Sequence, residues 1–210
     1  MKNSFRLITA SIVLGFGLLS VSTAQAAAIP YPDSGATNQN SYTFTATTTG
    51  QIGAFFYESS AAYTNTLSLL VNGVVTPESS MGVLNNQTSD PGYFVNLGNV
   101  HAGDVLTFQL NVLDTGDTWH SDTALNADGI NHIYSAAFSG DAALGIPTGT
   151  YVGFEDLYGG GDLDYNDEGF VFTNISSYES ISPVPEPETY LMLLMGLGLL
   201  AFTAHRRKAA

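Results

Sequence analysis

The sequence predicts an all-β protein. The expected form is an antiparallel β-sandwich, jelly-roll-like or immunoglobulin-like, preceded by an N-terminal signal helix and followed by a C-terminal transmembrane helix. Three observations carry this. Short runs rich in Val, Ile, Phe, Tyr and Thr recur along the chain, divided by Gly, Asn and Pro clusters. Between residues 29 and 184 no stretch shows the apolar period of an amphipathic helix. Long apolar runs stand instead at the two ends, beside the chain's five basic residues.

Taken in order, Ile29 to Gln39 is a lead containing Pro, Asn and Ser. Ser41 to Thr48 alternates polar with apolar and reads as a half-buried strand. Gly50 breaks it, and Ile52 to Tyr57 gives the next. Thr66 to Val71 and Val74-Val75 flank Asn72-Gly73, the strongest short hairpin signal. Thr76 to Pro91 is a polar loop. Further strands are expected at Gly92 to Leu97, Asp104 to Leu113, His132 to Phe138, Thr150 to Leu157 and Gly169 to Ile175, with Asp114 to Asn131 a long polar connection. Residues 28–176 are therefore assigned to one sandwich domain and 177–183 to a linker. No fixed-period repeat is visible.

The N-terminus carries Lys2 and Arg6, an apolar run from Leu7 to Val21, then Ala24-Gln25-Ala26. This is the form of a secretory signal peptide, assigned to residues 1–27, and it implies the Sec export machinery as a partner. At the other end, Val184-Pro185-Glu186-Pro187 leads into an apolar run, a transmembrane helix expected over 189–204, and then His205-Arg206-Arg207-Lys208. Such a helix would be ~22 Å long, short of a ~30 Å hydrocarbon core but within reach of local thinning. The basic tail would stay cytoplasmic. Motif, apolar run and basic cluster, in that order over 184–208, resemble the PEP-CTERM sorting signal of Gram-negative bacteria that make exopolysaccharide. The resemblance implies an exosortase partner, an inner-membrane intermediate, and a final place at the cell surface or outside.

All five Lys and Arg residues lie in these end segments, so the region from Ile29 to Val184 has none. It keeps seventeen of the nineteen acidic residues, only Glu186 and Glu188 falling outside. Such a domain repels itself and is expected to form no internal salt bridge. Nucleic acid is excluded as a partner, because its phosphates would meet like charge. There are no cysteines, which excludes disulfides, zinc-thiolate sites and a cysteine nucleophile.

The strongest chemistry lies between the last two expected strands, in Glu155-Asp156-Leu157-Tyr158-Gly159-Gly160-Gly161-Asp162-Leu163-Asp164-Tyr165-Asn166-Asp167-Glu168. Oxygen side chains at alternate positions of a tight loop suit a hard cation. In strand phase, Asp156 shares a face with Val152 and Phe154, and Glu168 shares one with Phe170 and Phe172. If those aromatics meet the core, both carboxylates sit at its rim, where an unpaired charge is costly. A bound Ca²⁺ answers that cost, with Glu155, Asp156, Asp162, Asp164, Asn166, Asp167 and Glu168 as candidate ligands. A solvated acidic turn is the alternative. The loop is not an EF-hand: Asp167 stands where that loop needs Gly, Thr173 where it needs Glu, and flanking helices are absent. A second polar cluster, Asp114, Asp117, Asp122 and Asp128 with His120 and His132, reads as a solvated loop or as further oxygens for a cation. Trp119, Tyr158 and Tyr165 could stack on sugar rings.

The residues Gly153, Glu155 to Leu157, Gly159 to Asp162 and Asp164 to Asp167 also resemble a G-x-E-D-L-x-G-G-G-D-x-D-Y-N-D signature found in many bacterial secreted proteins. Its domain has no assigned function, and calcium binding is presumed from its acidic loop. The likeness extends over Tyr42 to Ile175. No serine-hydrolase elbow, phosphate loop or dinucleotide fingerprint occurs. The expectation is a non-catalytic exported surface or matrix protein that binds Ca²⁺. The alternative is a Ca²⁺-dependent carbohydrate-binding module or adhesin, with extracellular polysaccharide as partner.

Overall fold

The computed structural model describes residues 29–181 and 195–197. Among the described residues there are eleven strands: β1 (Asn40–Ala46), β2 (Gly50–Ser59), β3 (Asn65–Val71), β4 (Val74–Val75), β5 (Phe94–Val100), β6 (Val105–Val112), β7 (Thr118–His120), β8 (Ile133–Phe138), β9 (Gly149–Phe154), β10 (Glu168–Thr173) and β11 (Ile175–Ile181). One sheet runs β11-β1-β6-β3-β4, with β7 also on β6; the other runs β5-β2-β10-β9-β8. Every strand pairing is antiparallel. The all-β antiparallel expectation holds.

The two sheets meet through alternate residues, as strand geometry requires. Phe44, Leu67, Leu69 and Phe108 from one sheet face Ile52, Phe154, Phe170 and Phe172 from the other, all buried in one core. Phe108 and Phe172 stack across it with centroids 3.8 Å apart. Burial of each such side chain contributes about 1.5–3 kcal/mol. The outer face of the second sheet carries a smaller cluster of Tyr57, Phe138, Ile146, Tyr151 and Val171. Asn72 and Gly73 both take positive φ, 50° and 83°, closing the β3–β4 hairpin as their sequence predicts.

Three expectations need correction. The connection from Asp114 to Asn131 contains strand β7 and a 3-10 turn at Thr123–Leu125. Its strand is three residues long, too short to show a period. The run Gly169 to Ile175 is not one strand, because Asn174, at φ 64°, turns the chain from one sheet to the other. The Asn174 carboxamide fixes that turn by accepting from the Thr48 amide at 2.9 Å and donating to the Thr48 carbonyl at 3.0 Å. Residues 177–181, expected as linker, are strand. β11 pairs with β1 through all seven residues, from Asn40↔Ile181 to Ala46↔Ile175. Its Ser-rich, exposed side chains hide a strand held by backbone hydrogen bonds.

The signal peptide over 1–27 and the sorting motif Val184 to Pro187 lie outside the described residues. So does most of the helix expected at 189–204, of which only residues 195–197 are described, as helix. Among the described residues no helix is long and apolar enough to cross a membrane.

Candidate metal centre

The β9–β10 hairpin places the acidic loop at one end of the sandwich. Glu168 pairs with Phe154 in register, so residues 155–167 form the loop itself. The expected phase is observed. Val152 and Phe154 are fully buried and Asp156 is 3% exposed, while Glu168, Phe170 and Phe172 are each fully buried. Glu155 is fully buried as well.

Backbone conformation turns the loop's oxygens inward. Leu163 and Tyr165 take positive φ, 58° and 56°, on either side of Asp164. Left-handed residues cost roughly 1–2 kcal/mol each, so something must hold them. The Tyr165 amide donates to Glu155 Oε1, and its hydroxyl donates to the Asn131 carbonyl at 3.2 Å and accepts from the Asn38 amide at 2.8 Å. The Gly35 amide donates to the Leu163 carbonyl at 3.0 Å, so the N-terminal lead straps the loop. Gly153 is required by close approach, since a Cβ there would overlap the Tyr165 carbonyl. Gly161, at φ 56°, lets the chain pass where a Cβ would lie 2.9 Å from Glu155 Oε2.

Two groups of oxygens result. Glu155, Asp162 and Asp164 bring one carboxylate oxygen each within 4.8 Å of the others. Glu155 Oε2 is buried and has no hydrogen-bond partner. The second group is built around Asn65, at the start of β3 in the opposite sheet. Its amide nitrogen donates to Asp156 Oδ2 at 2.8 Å and Glu168 Oε1 at 3.2 Å. Ser59 donates to Glu168 Oε1 at 3.3 Å, and Asp167 Oδ2 accepts from the Asp156 amide at 3.0 Å. Asn166 donates its amide to Asp164 and orients it. An open groove beside Tyr63 and Leu157 reaches Asp156, Asp162 and Asp167.

Carboxylates this crowded resist ionisation. Burial pushes Glu155 up to about 8, and Asp167 and Asp162 add to the shift. Burial likewise raises Glu168 to about 8 and Asp167 to about 7, the Asp156 charge adding to both. No lysine or arginine lies in this domain to offset them. The donor set is all oxygen, anionic and partly unpartnered, which fits a hard divalent cation.

The aromatic candidates divide. Tyr158 is 70% exposed at the loop surface, but Trp119 and Tyr165 are each only 1% exposed. The Trp119 indole donates to the Asp156 carbonyl at 2.8 Å and stacks on His132. Trp119 and Tyr165 are therefore internal supports of the loop and offer no face to a sugar.

Of the second polar cluster, Asp128 and His132 reach the site. His132 Nδ1 lies 3.0 Å from the Glu155 carbonyl and Nε2 2.9 Å from Asp128 Oδ2, which also accepts from the Gly159 amide. Asp128 is partly buried, which raises its pKa, but these partners and the Ile130 amide hold it below the usual carboxylate range. Each ring nitrogen of His132 thus faces an oxygen acceptor, the Glu155 carbonyl on one side and Asp128 on the other. In a domain without Lys or Arg, this His–carboxylate contact is a buried pairing that the acidic side chains do make. Asp122 caps the 3-10 turn by accepting from the Ala124 amide, and Asp114 accepts from the Thr64 amide. Sequence reasoning missed Asn65 and Ser59, which stand 91 and 109 residues from their acidic partners and carry no local signal.

Comparison with known proteins adds two matches. Residues 74–173 match a domain of unknown function, DUF4114, spanning β4 through β10 and the whole acidic loop. That is narrower than the likeness from Tyr42 to Ile175, leaving β1, β2, β3 and β11 outside. Residues 183–208 match the PEP-CTERM protein-sorting motif. This motif implies recognition by an exosortase, export through a membrane, and an end at the cell surface or outside. No curated protein and no solved structure matches the chain.

Proposed function

We propose that the chain is a non-catalytic exported protein of the cell surface or extracellular matrix, whose β-sandwich is completed by Ca²⁺ in the acidic loop. One observation carries this: Glu155 is fully buried with a partnerless oxygen, in a triad with Asp162 and Asp164, in a domain without lysine or arginine. The cation replaces the missing basic residues and fixes the left-handed turns at Leu163 and Tyr165. Extracellular Ca²⁺ modules bind at about 10⁻⁴ to 10⁻³ M. At ten times the dissociation constant the ion contributes about 1.4 kcal/mol.

The test is thermal unfolding of the purified chain in mild non-ionic detergent, in EDTA and in millimolar Ca²⁺, beside the double variant Asp162→Ala, Asp164→Ala. A Ca²⁺-dependent rise in midpoint that the variant loses supports the reading. Superimposable curves for the native chain end it.

A Ca²⁺-dependent carbohydrate-binding or adhesive role is the second reading, favoured by exposed Tyr158 and Leu157 near the groove that holds Asp156 and Asp162. Glycan binding that needs Ca²⁺ and is lost in Tyr158→Ala supports it.

A further inference from the structure

We infer that the acidic loop holds two divalent cations, an outer one at Glu155, Asp162 and Asp164 and an inner one among Asp156, Asp167, Glu168 and Asn65. This rests on the cation reading above and extends it to a second position, which reaches across to the opposite sheet.

The outer triad does not account for the inner group. Glu155 and Asp156 have separate partners, Glu155 accepting from the Tyr165 amide and Asp156 from the Asn65 side chain, so they belong to different groups. The inner group has its own unpartnered atoms. Glu168 Oε2 and Asn65 Oδ1 are both buried without a hydrogen-bond partner, on residues that are fully buried. A buried acceptor left unmade costs about 1–3 kcal/mol, and more when charged. The Asn65 amide nitrogen links Asp156 to Glu168, so both unpartnered oxygens belong to one connected group.

Protonation does not resolve the arrangement. A proton on Glu168 would add a donor, and Asn65 Oδ1 would still lack one unless that proton pointed at it. An ion satisfies both oxygens at once and offsets the charge of the three carboxylates. The Asn65 carboxamide already sits between Asp156 and Glu168, so a rotation of the amide that exchanges its two donated hydrogen bonds for coordination would bring Oδ1 into the shell. Remaining coordination positions belong to water from the groove that reaches Asp156 and Asp167. With oxygen donors alone, the class of ligand is a hard divalent cation such as Ca²⁺.

The inner position has its own reporter. The chain has a single tryptophan, and the Trp119 indole donates to the Asp156 carbonyl. An ion at the inner position would bind Asp156, whose carbonyl the indole holds directly, whereas the outer triad reaches the indole only through His132 on the Glu155 carbonyl.

The test counts bound Ca²⁺ by equilibrium dialysis of the purified chain in detergent, with tryptophan emission followed in parallel. The native chain is compared with Glu168→Gln, which keeps the acceptor facing Asn65 and Ser59, and with Asp162→Ala, Asp164→Ala. The expected result is two ions for the native chain and one for each variant. The emission change is expected to vanish in Glu168→Gln and persist in the double variant. One ion in the native chain, kept by Glu168→Gln and lost by the double variant, overturns the inner position and leaves the proposed function standing. No ion in the native chain overturns both. Far-ultraviolet circular dichroism identifies any variant that has lost its fold; Asn65→Asp, which keeps an oxygen at that place, is then the second probe and must retain two ions.

Discussion

The imidazole of His132 lies flat on the indole of Trp119, with ring centroids 3.9 Å apart and 2° between their planes. Each ring also holds the loop by one hydrogen bond to its backbone, His132 to the Glu155 carbonyl and Trp119 to the Asp156 carbonyl. Two consecutive carbonyls of the acidic loop are thereby fixed by one stacked pair. Replacing Trp119 with Phe keeps a ring but strips the Asp156 carbonyl of its donor. A loss of about 1–3 kcal/mol is expected in urea unfolding. A change below about 0.5 kcal/mol would show that the bond to Asp156 is replaced by water.

Asn65→Ala removes the side-chain amide that donates to Asp156 and to Glu168, and keeps the Ser59 hydroxyl on Glu168. Two buried carboxylates then face each other with no amide between them. In EDTA the variant should lose roughly 2–4 kcal/mol, judged from the cost of unpairing buried charge. Chemical unfolding measures it, and native-like stability would remove Asn65 from any account of the site.

The pH response of the metal-free domain has a definite sign. Glu155 and Glu168 are raised from 4.5 to about 8, and Asp167 from 3.8 to about 7, burial being the leading cause of each. Between the unfolded and folded values the native state holds more protons than the unfolded chain, so stability falls as pH rises. In EDTA the urea midpoint should therefore be lower at pH 8 than at pH 5. With Ca²⁺ the carboxylates must be deprotonated, so the gain from the metal should grow over the same interval. A flat EDTA profile would mean that these groups ionise normally.

Gly153→Ala tests whether the strand and loop are in contact. The added Cβ would overlap the Tyr165 carbonyl and lie 2.8 Å from the Tyr151 hydroxyl. Both neighbours are buried and held, so overpacking should cost about 1–3 kcal/mol or more. Differential scanning calorimetry reads it as a lowered midpoint. The same substitution at Gly73, where nothing lies within 4 Å of the added Cβ, tests backbone strain alone.

Much of this was legible in the chain because it is periodic or local. Alternation marked β1, β2, β6 and the β9–β10 hairpin, Asn72-Gly73 marked its turn, and the strand phase placed Asp156 and Glu168 at the core. Contacts between distant residues left no such trace. Asn65 stands just before the strand expected at Thr66, yet it bridges two carboxylates of the acidic loop and β10. Trp119 and Tyr165 sit in polar stretches, which suggested exposed rings, but hydrogen bonds from the indole and the phenol allow both to be buried. β11 escaped for the opposite reason: its order comes from the β1 backbone, and its side chains carry almost no apolar pattern.

That outermost strand leads to the segment matching the sorting motif from residue 183. A pull on the chain beyond Ile181 reaches the ladder first at Asn40↔Ile181, and its rungs run back from there to Ala46↔Ile175. Load therefore opens the pairing one rung at a time, as a zipper does, instead of shearing seven rungs together. Peeling β11 releases roughly 20 Å of slack at about 3.3 Å per residue. It then stops at Asn174, whose carboxamide is tied to Thr48 and whose neighbour β10 is buried in the core. A domain tethered at this end lengthens under tension while β10 stays seated in the core.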